Sequence, residues 1–229
     1  MGAGRETGGG LKEDPIMKVL VTGFEPFGGE PVNPAFEAVK LLPRTIAGAD
    51  VDILEIPTVF HKSVEAIVKR AEETGADRIL MVGQAGGRFE ITVERVGINV
   101  DDARIPDNEG NRPIDVPVDP DGPAAYFSTL PVKAMTERIR SRGIPAKVSN
   151  TAGTFVCNHV LYGVLNAAAK KALPVKAGFI HVPYLPEQAA GKDSVPSMSA
   201  ATIAAALEAA VEALVTTGED VKVSGGREH

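Results

Sequence analysis

The sequence predicts an α/β fold: a three-layer α/β/α arrangement with a mostly parallel central sheet and an inserted β-ribbon. Three observations predict it. Short β-branched apolar runs recur along the chain, each stopped by Gly or Pro, as buried parallel strands are. Segments with helical apolar spacing lie between them. One stretch, residues 88–127, breaks the alternation. The order β-α-β-α-β, insertion, α-β-α-β-α calls for helices on both faces of one sheet.

Each element has its own signal. "MGAGRETGGGLKEDPI" is polar and Gly-rich, so residues 1–15 are expected to be a disordered extension, with no apolar stretch for a signal peptide or anchor. "MKVLVTGF", from Met17, is the first strand of the domain. Asn33 and Pro34 suit the cap and first residue of the helix "PAFEAVKLLP". "VDILEIPTV" is the second strand, and "HKSVEAIVKRAEETG" a helix with Val64, Ile67, Val68 and Ala71 on one face, ended by Gly75. "DRILMVGQAG" is the third strand. The insertion alternates as "FEITVERVGINV", then turns Pro- and Asp-rich, which reads as a β-ribbon and a long functional loop. "VKAMTERIRSRG", "CNHVLYGVLNAAAKKAL" and the Ala-rich "SAATIAAALEAAVEALVTTG" are helices, separated by the strands "AKVSNTAG" and "AGFIHVPYLP". The domain is expected to span residues 16–218, with residues 219–229 a frayed tail.

Composition narrows the function. In 229 residues, 24 basic against 30 acidic side chains give a net charge of −6, and no Lys/Arg block reverses it, so nucleic acid and anionic membranes are poor partners. One cysteine makes no internal disulfide and no thiolate metal cluster. Four scattered histidines, His61, His159, His181 and His229, offer no close ligand pair. No metal or cofactor is expected, and the cytoplasm is the default location.

In sheets of this kind ligands gather beyond the carboxyl ends of strands. "GFEPFGG", "GQAGG", "NTAGTFVC" and His181 in "FIHVPY" fall at such ends. The first is no phosphate loop, because Pro26 lacks an N–H and Glu25 repels phosphate. Phe24 and Phe27 suit a small flat apolar ligand, or else anchor the loop on the core. Cys157 falls at a helix start, where the dipole favours thiolate and free N–H groups can hold an oxyanion. A lone cysteine is also often simply a small buried hydrophobe. His159, two residues on, points about 200° away around the helix and is a poor base for it. His181 remains, either as base or as a satisfied histidine at a strand end. Glu94 in "TVERVGIN" either orients that imidazole or pairs with Arg95 or Arg104.

The stretches "VLVTGFEPFGGEPVNP", "ERVGINVDDARIPDNEGNRP", "SNTAGTFVCNHVLY" and "FIHVPYLPEQ" together resemble pyrrolidone carboxyl peptidase (pyroglutamyl peptidase I), a cysteine peptidase family, from Met17 to about Val215. The resemblance implies a phosphorylase/hydrolase-like fold and a triad of Cys157, His181 and Glu94, acting on N-terminally pyroglutamylated peptides through a thioester. It also implies a pyroglutamate pocket from Phe24, Phe27, Asn33, Gln84, Phe155 and Val156, with Arg104 and the Cys157 region at the oxyanion, and a homotetramer. Gly97 departs from the family's usual alanine, and His159 from its usual bulky residue. Two other classes stay open at this point: a nucleotide-handling enzyme in which Cys157 only packs, and a binding protein without turnover.

Overall fold

The computed structural model describes residues 15–170 and 173–226. The expected extension thus lies outside them but for Pro15, as does His229. Nine strands and six helices are formed among the described residues. They are β1 (Lys18–Phe24), α1 (Pro34–Val39), β2 (Thr45–Ile46), β3 (Ala49–Ile56), α2 (Lys62–Thr74), β4 (Arg78–Gln84), β5 (Ile91–Glu94) and β6 (Val96–Ile98). There follow β7 (Ala125–Phe127), α3 (Val132–Ser141), β8 (Ala146–Ser149), α4 (Val156–Ala169), β9 (Lys176–Val182), α5 (Pro186–Ala189) and α6 (Ala200–Thr216).

Seven strands form one sheet in the order β2-β3-β1-β4-β9-β5-β8. β3, β1, β4 and β9 run parallel to one another, while β5 runs antiparallel to β9 and parallel to β8. Strand period two then sorts the core. Val19, Val21, Leu80, Val82, Ile180, Val182, Ile91 and Val93 pack with residues of α1, α3 and α6. Leu20, Met81 and Phe179 face the other way, onto Ile67 of α2 and Val160, Leu161 and Val164 of α4. The three layers are those the sequence predicts.

Two placements differ from the expectation. The segment "EITVE" was expected in the ribbon; β5 instead joins the central sheet, and the ribbon is the shorter pair β6–β7. The strand before "NTAGTFVC" runs opposite to β4 and β9; it ends at Ser149, level with Glu94 and Phe179, and residues 150–155 carry the chain from there to α4.

Local chemistry explains the element ends. The Asn33 side chain accepts from the Ala35 N–H at 3.0 Å, with Pro34 as the first helical residue. α2 ends on Gly75 at φ 66°, the left-handed cap that glycine adopts without strain. The loop between β6 and β7 is pinned by carboxylates. Asp107 accepts from the N–H groups of Phe60, Glu109 and Asn111, and Asp119 from Asn166 and Lys170. Beyond α6 the chain is irregular yet tethered: Asp220 accepts from the Lys133 and Ala134 N–H groups opening α3, and Arg95 donates to the Gly225 carbonyl.

Candidate active site

Sheet register brings the site together. His181 on β9 pairs with Gly83 on β4 and with Thr92 on β5, and Phe179 pairs with Glu94. Positions two apart share a face, so His181, Phe179, Thr92, Glu94 and Gly83 all look toward the α2/α4 layer. α4 meets them there with Cys157 in its first turn. A Cβ on Gly83 would lie 2.9 Å from Cys157 Sγ and 2.7 Å from Phe179 Cζ, so only glycine leaves room for the thiol beside the His181 position. The Phe179 ring stands 4.8 Å from the imidazole and helps to fix it.

His181 Nδ1 lies 2.8 Å from Glu94 Oε1. An ionised carboxylate only accepts, so Nδ1 carries the proton and Nε2 presents its lone pair. Both side chains are buried, His181 4% and Glu94 0% exposed. Burial pushes the Glu94 carboxyl up, but the bond and charge of His181, Ser149 and the Arg88 guanidinium together hold it below its ordinary value. Burial, with Glu94's charge added, pushes the Cys157 thiol up to about 12, against the pull of Arg88 and its own backbone N–H. This runs opposite to the thiolate expected from a helix start. Desolvation outweighs the dipole, although the cysteine keeps part of its surface open.

The start of α4 has no side-chain cap, unlike α1 and α6, whose first turns are satisfied by Asn33 and Ser199. Its first-turn N–H groups thus lack a side-chain cap at the place where the sequence predicts oxyanion donors. Asp102 and Thr154 hold the preceding loop by two bonds, Asp102 N to Thr154 O at 2.9 Å and Thr154 Oγ1 to Asp102 O at 2.8 Å. Arg104 is exposed on that same 101–107 loop.

Of the expected pocket residues, Phe24 packs 6.4 Å from the Phe179 ring, and Phe27 meets Phe155 at 6.2 Å. Phe155 also stands edge-on to Phe60 at 5.5 Å. Val156 is fully buried, in the same cluster as Phe24 and Phe179. Gln84 accepts from Gln188 Nε2 at 3.1 Å. Asn33 spends its oxygen on the cap and its amide on the Glu25 carbonyl at 3.0 Å, so it holds the Phe24–Phe27 loop against α1. A cavity of about 570 Å³ lies away from this cluster, at the amino ends of β4 and β9, lined by Arg78, Phe127 and Lys176.

The alternative ion pairs for Glu94 did not form. Arg95 turns to Gly225, and the guanidinium on Glu94 is that of Arg88, at 2.6 Å. Sequence reasoning missed Arg88, whose only signal is its position between the Gly86–Gly87 turn and Glu94.

His159 lies apart from this cluster. Its Nδ1 bonds Asp101 Oδ2 at 2.8 Å, and its Nε2 accepts from the His61 N–H at 2.9 Å. With both nitrogens engaged it is a structural residue. Exchanging it for alanine is expected to cost about 1–3 kcal/mol of stability, since a buried acid loses its partner. The folded fraction should keep turnover within about threefold, read as Tm beside kcat. A collapse of kcat at unchanged Tm would contradict this. Gly97 is explained by the same helix, because a Cβ there would meet the Tyr162 backbone nitrogen at 2.9 Å.

A family profile described as pyroglutamyl peptidase matches residues 17–217. Pyrrolidone-carboxylate peptidase from Clostridium perfringens is 59% identical over 210 residues, covering 92% of this chain and 99% of that one. The enzyme of the same name from Treponema denticola is 58% identical, with the same coverage. The crystal structure of pyroglutamyl peptidase I from Bacillus amyloliquefaciens superposes with a TM-score of 0.88 at 44% identity, covering 92% of this chain and all of that one. A mutant pyrrolidone carboxyl peptidase from Pyrococcus furiosus gives 0.82 at 47% identity, covering 87% and 98%.

Proposed function

The chain belongs to the pyroglutamyl peptidase family, and from that membership we propose that Cys157, His181 and Glu94 are its nucleophile, base and orienting acid. The chain is a cysteine-type hydrolase that removes an N-terminal pyroglutamyl residue from peptides. What supports the triad above all is one arrangement: His181 held at 2.8 Å by buried Glu94, with Cys157 Sγ against the glycine paired to His181.

The proposed steps are those of a cysteine acyl transfer. His181 Nε2 takes the Cys157 proton as Sγ attacks the pyroglutamyl carbonyl carbon. With the thiol's pKa raised by burial, transfer and attack belong together. The first-turn N–H groups of α4 take the oxyanion, and Arg104 is assigned to the same charge from the family membership. His181 then protonates the leaving amine, and the intermediate collapses to a thioester. Water, deprotonated by His181, releases pyroglutamate. Glu94 keeps the proton on Nδ1 and stabilises the imidazolium. The ring is accepted between Phe24, Phe27 and Phe155, with lactam bonds near Gln84 and the Val156 backbone, and Asn33 shaping the loop. Residues 16–218 as the working domain, a homotetramer and a cytoplasmic location belong to the same reading. No helix of the described residues is long and apolar enough to cross a membrane.

The test uses the single cysteine. Fluorophore release from a pyroglutamyl amide should fall in step with modification of one thiol by iodoacetamide. The raised Cys157 pKa sets the pH dependence. Thiolate is scarce at neutrality, so the rate of inactivation of free enzyme should climb about tenfold per pH unit from roughly pH 7 to 10. A plateau already reached at neutrality would show a resting thiolate–imidazolium pair instead.

A further inference from the structure

We propose that Arg88 is a positioning residue for the reaction, holding the Glu94 carboxylate against His181 and tying it to the loop that leads into the nucleophile's helix. This rests on the reading of Glu94 and His181 as the working pair.

Among the described residues, Arg88 is the only Lys or Arg whose ion-pair carboxylate is fully buried; the other acids paired with Lys or Arg keep at least 13% of their side-chain surface. An isolated buried carboxylate is costly and escapes by taking a proton. Arg88 Nη1 donates to Glu94 Oε1 at 2.6 Å, the same oxygen that receives His181 Nδ1–H at 2.8 Å. Two donors converging on one oxygen fix where the carboxylate stands and toward which ring it faces. Nη1 also lies 2.5 Å from Thr92 Oγ1, and Thr92 is the β5 partner of His181 in register. The third bond leaves the sheet: Nη2 donates to the Thr151 carbonyl at 3.3 Å, in the segment that turns into α4 and Cys157. One guanidinium therefore touches the acid, a neighbour of the base, and the approach to the nucleophile. A lysine cannot reach all three at once.

The consequence for pH follows from the charges around Glu94. His181 faces it from β9, Ser149 from β8, Cys157 from α4 and Arg88 from its own loop. Burial favours the neutral acid, and Arg88 is one of the groups opposing burial. Without Arg88 the carboxyl takes its proton at higher pH, and a protonated Glu94 no longer stabilises imidazolium. The acid limb of kcat/KM should then move upward.

The experiment compares R88Q, R88K, E94Q and the double variant R88Q/E94Q in full-length enzyme on a pyroglutamyl amide, with Tm recorded for each. R88Q is expected to lower kcat about ten- to a hundredfold, the effect of a lost charge-assisted bond, with KM within about threefold and the acid limb shifted up. R88K should restore the position of the limb and part of kcat. In the E94Q background, R88Q should cost little more, because both act through one carboxylate. R88Q with a lowered Tm but unaltered kcat and acid limb would reduce Arg88 to a structural ion pair and overturn the proposal. Full additivity with E94Q would overturn it too, since Arg88 would then act elsewhere than through Glu94. Turnover intact in E94Q would instead sink the triad reading of Glu94, and the proposal with it.

Discussion

Cys157→Ala is expected to abolish pyroglutamate release while leaving the protein folded. Triads act as units, and loss of the nucleophile in the best-studied serine case costs about six orders of magnitude in kcat. No smaller figure is expected here, because His181 and the open start of α4 have nothing to activate or stabilise without the sulfur. The fold should survive. Cys157 is partly exposed and only borders the core around Phe179, and alanine suits a helix first turn. Tm should shift by no more than about 4 °C, roughly 1 kcal/mol in a domain of this size. An alanine variant that keeps even a hundredth of wild-type kcat would leave Cys157 as packing.

The second large effect is on the substrate. Pyroglutamyl and prolyl amides with one leaving group should differ by about 10⁴–10⁵ in kcat/KM. The two rings have nearly the same size, so the proposed walls of Phe24, Phe27 and Phe155 cannot separate them. Pyroglutamate carries a lactam N–H and C=O and no charge, whereas proline brings a protonated amine. Buried backbone groups at the start of α4 that bond the lactam would be left unpaired by proline, and the ammonium would lose its water among phenylalanines. Comparable values for the two amides would remove the lactam pocket and leave a general aminopeptidase.

The strands β1, β4 and β9 were legible because a buried parallel strand must be apolar on both faces, and "KVLVTGF", "RILMVGQ" and "KAGFIHV" are nearly so. β5 was not legible as a sheet strand. Its Ile91 and Val93 feed the core, while Thr92 and Glu94 face a buried polar site, so the alternation reads like a half-solvated ribbon. The same misplacement hid Arg88, since its partner is visible only once β5 lies beside β9. The direction of β8 was equally hidden: four residues between a helix and a polar turn give no sign of which way they enter a sheet. The strand end singles out His181 in the sequence, and the helical angle alone turns His159 away from Cys157. The Asp101 that engages His159 lies 58 residues away, beyond any local pattern. The raised thiol pKa has a physical reason for being hidden: a helix start is visible in sequence, while the burial that overrides it comes only with tertiary packing.

The most direct test of Cys157 as nucleophile is to catch the thioester. Enzyme mixed with excess pyroglutamyl ester, quenched in acid within the first turnover and digested, should yield the peptide bearing Cys157 with one added pyroglutamyl group. H181A treated in the same way should give no such adduct. Rapid wild-type turnover with that peptide unmodified at every quench time, or with the acyl group on another residue, would contradict the mechanism.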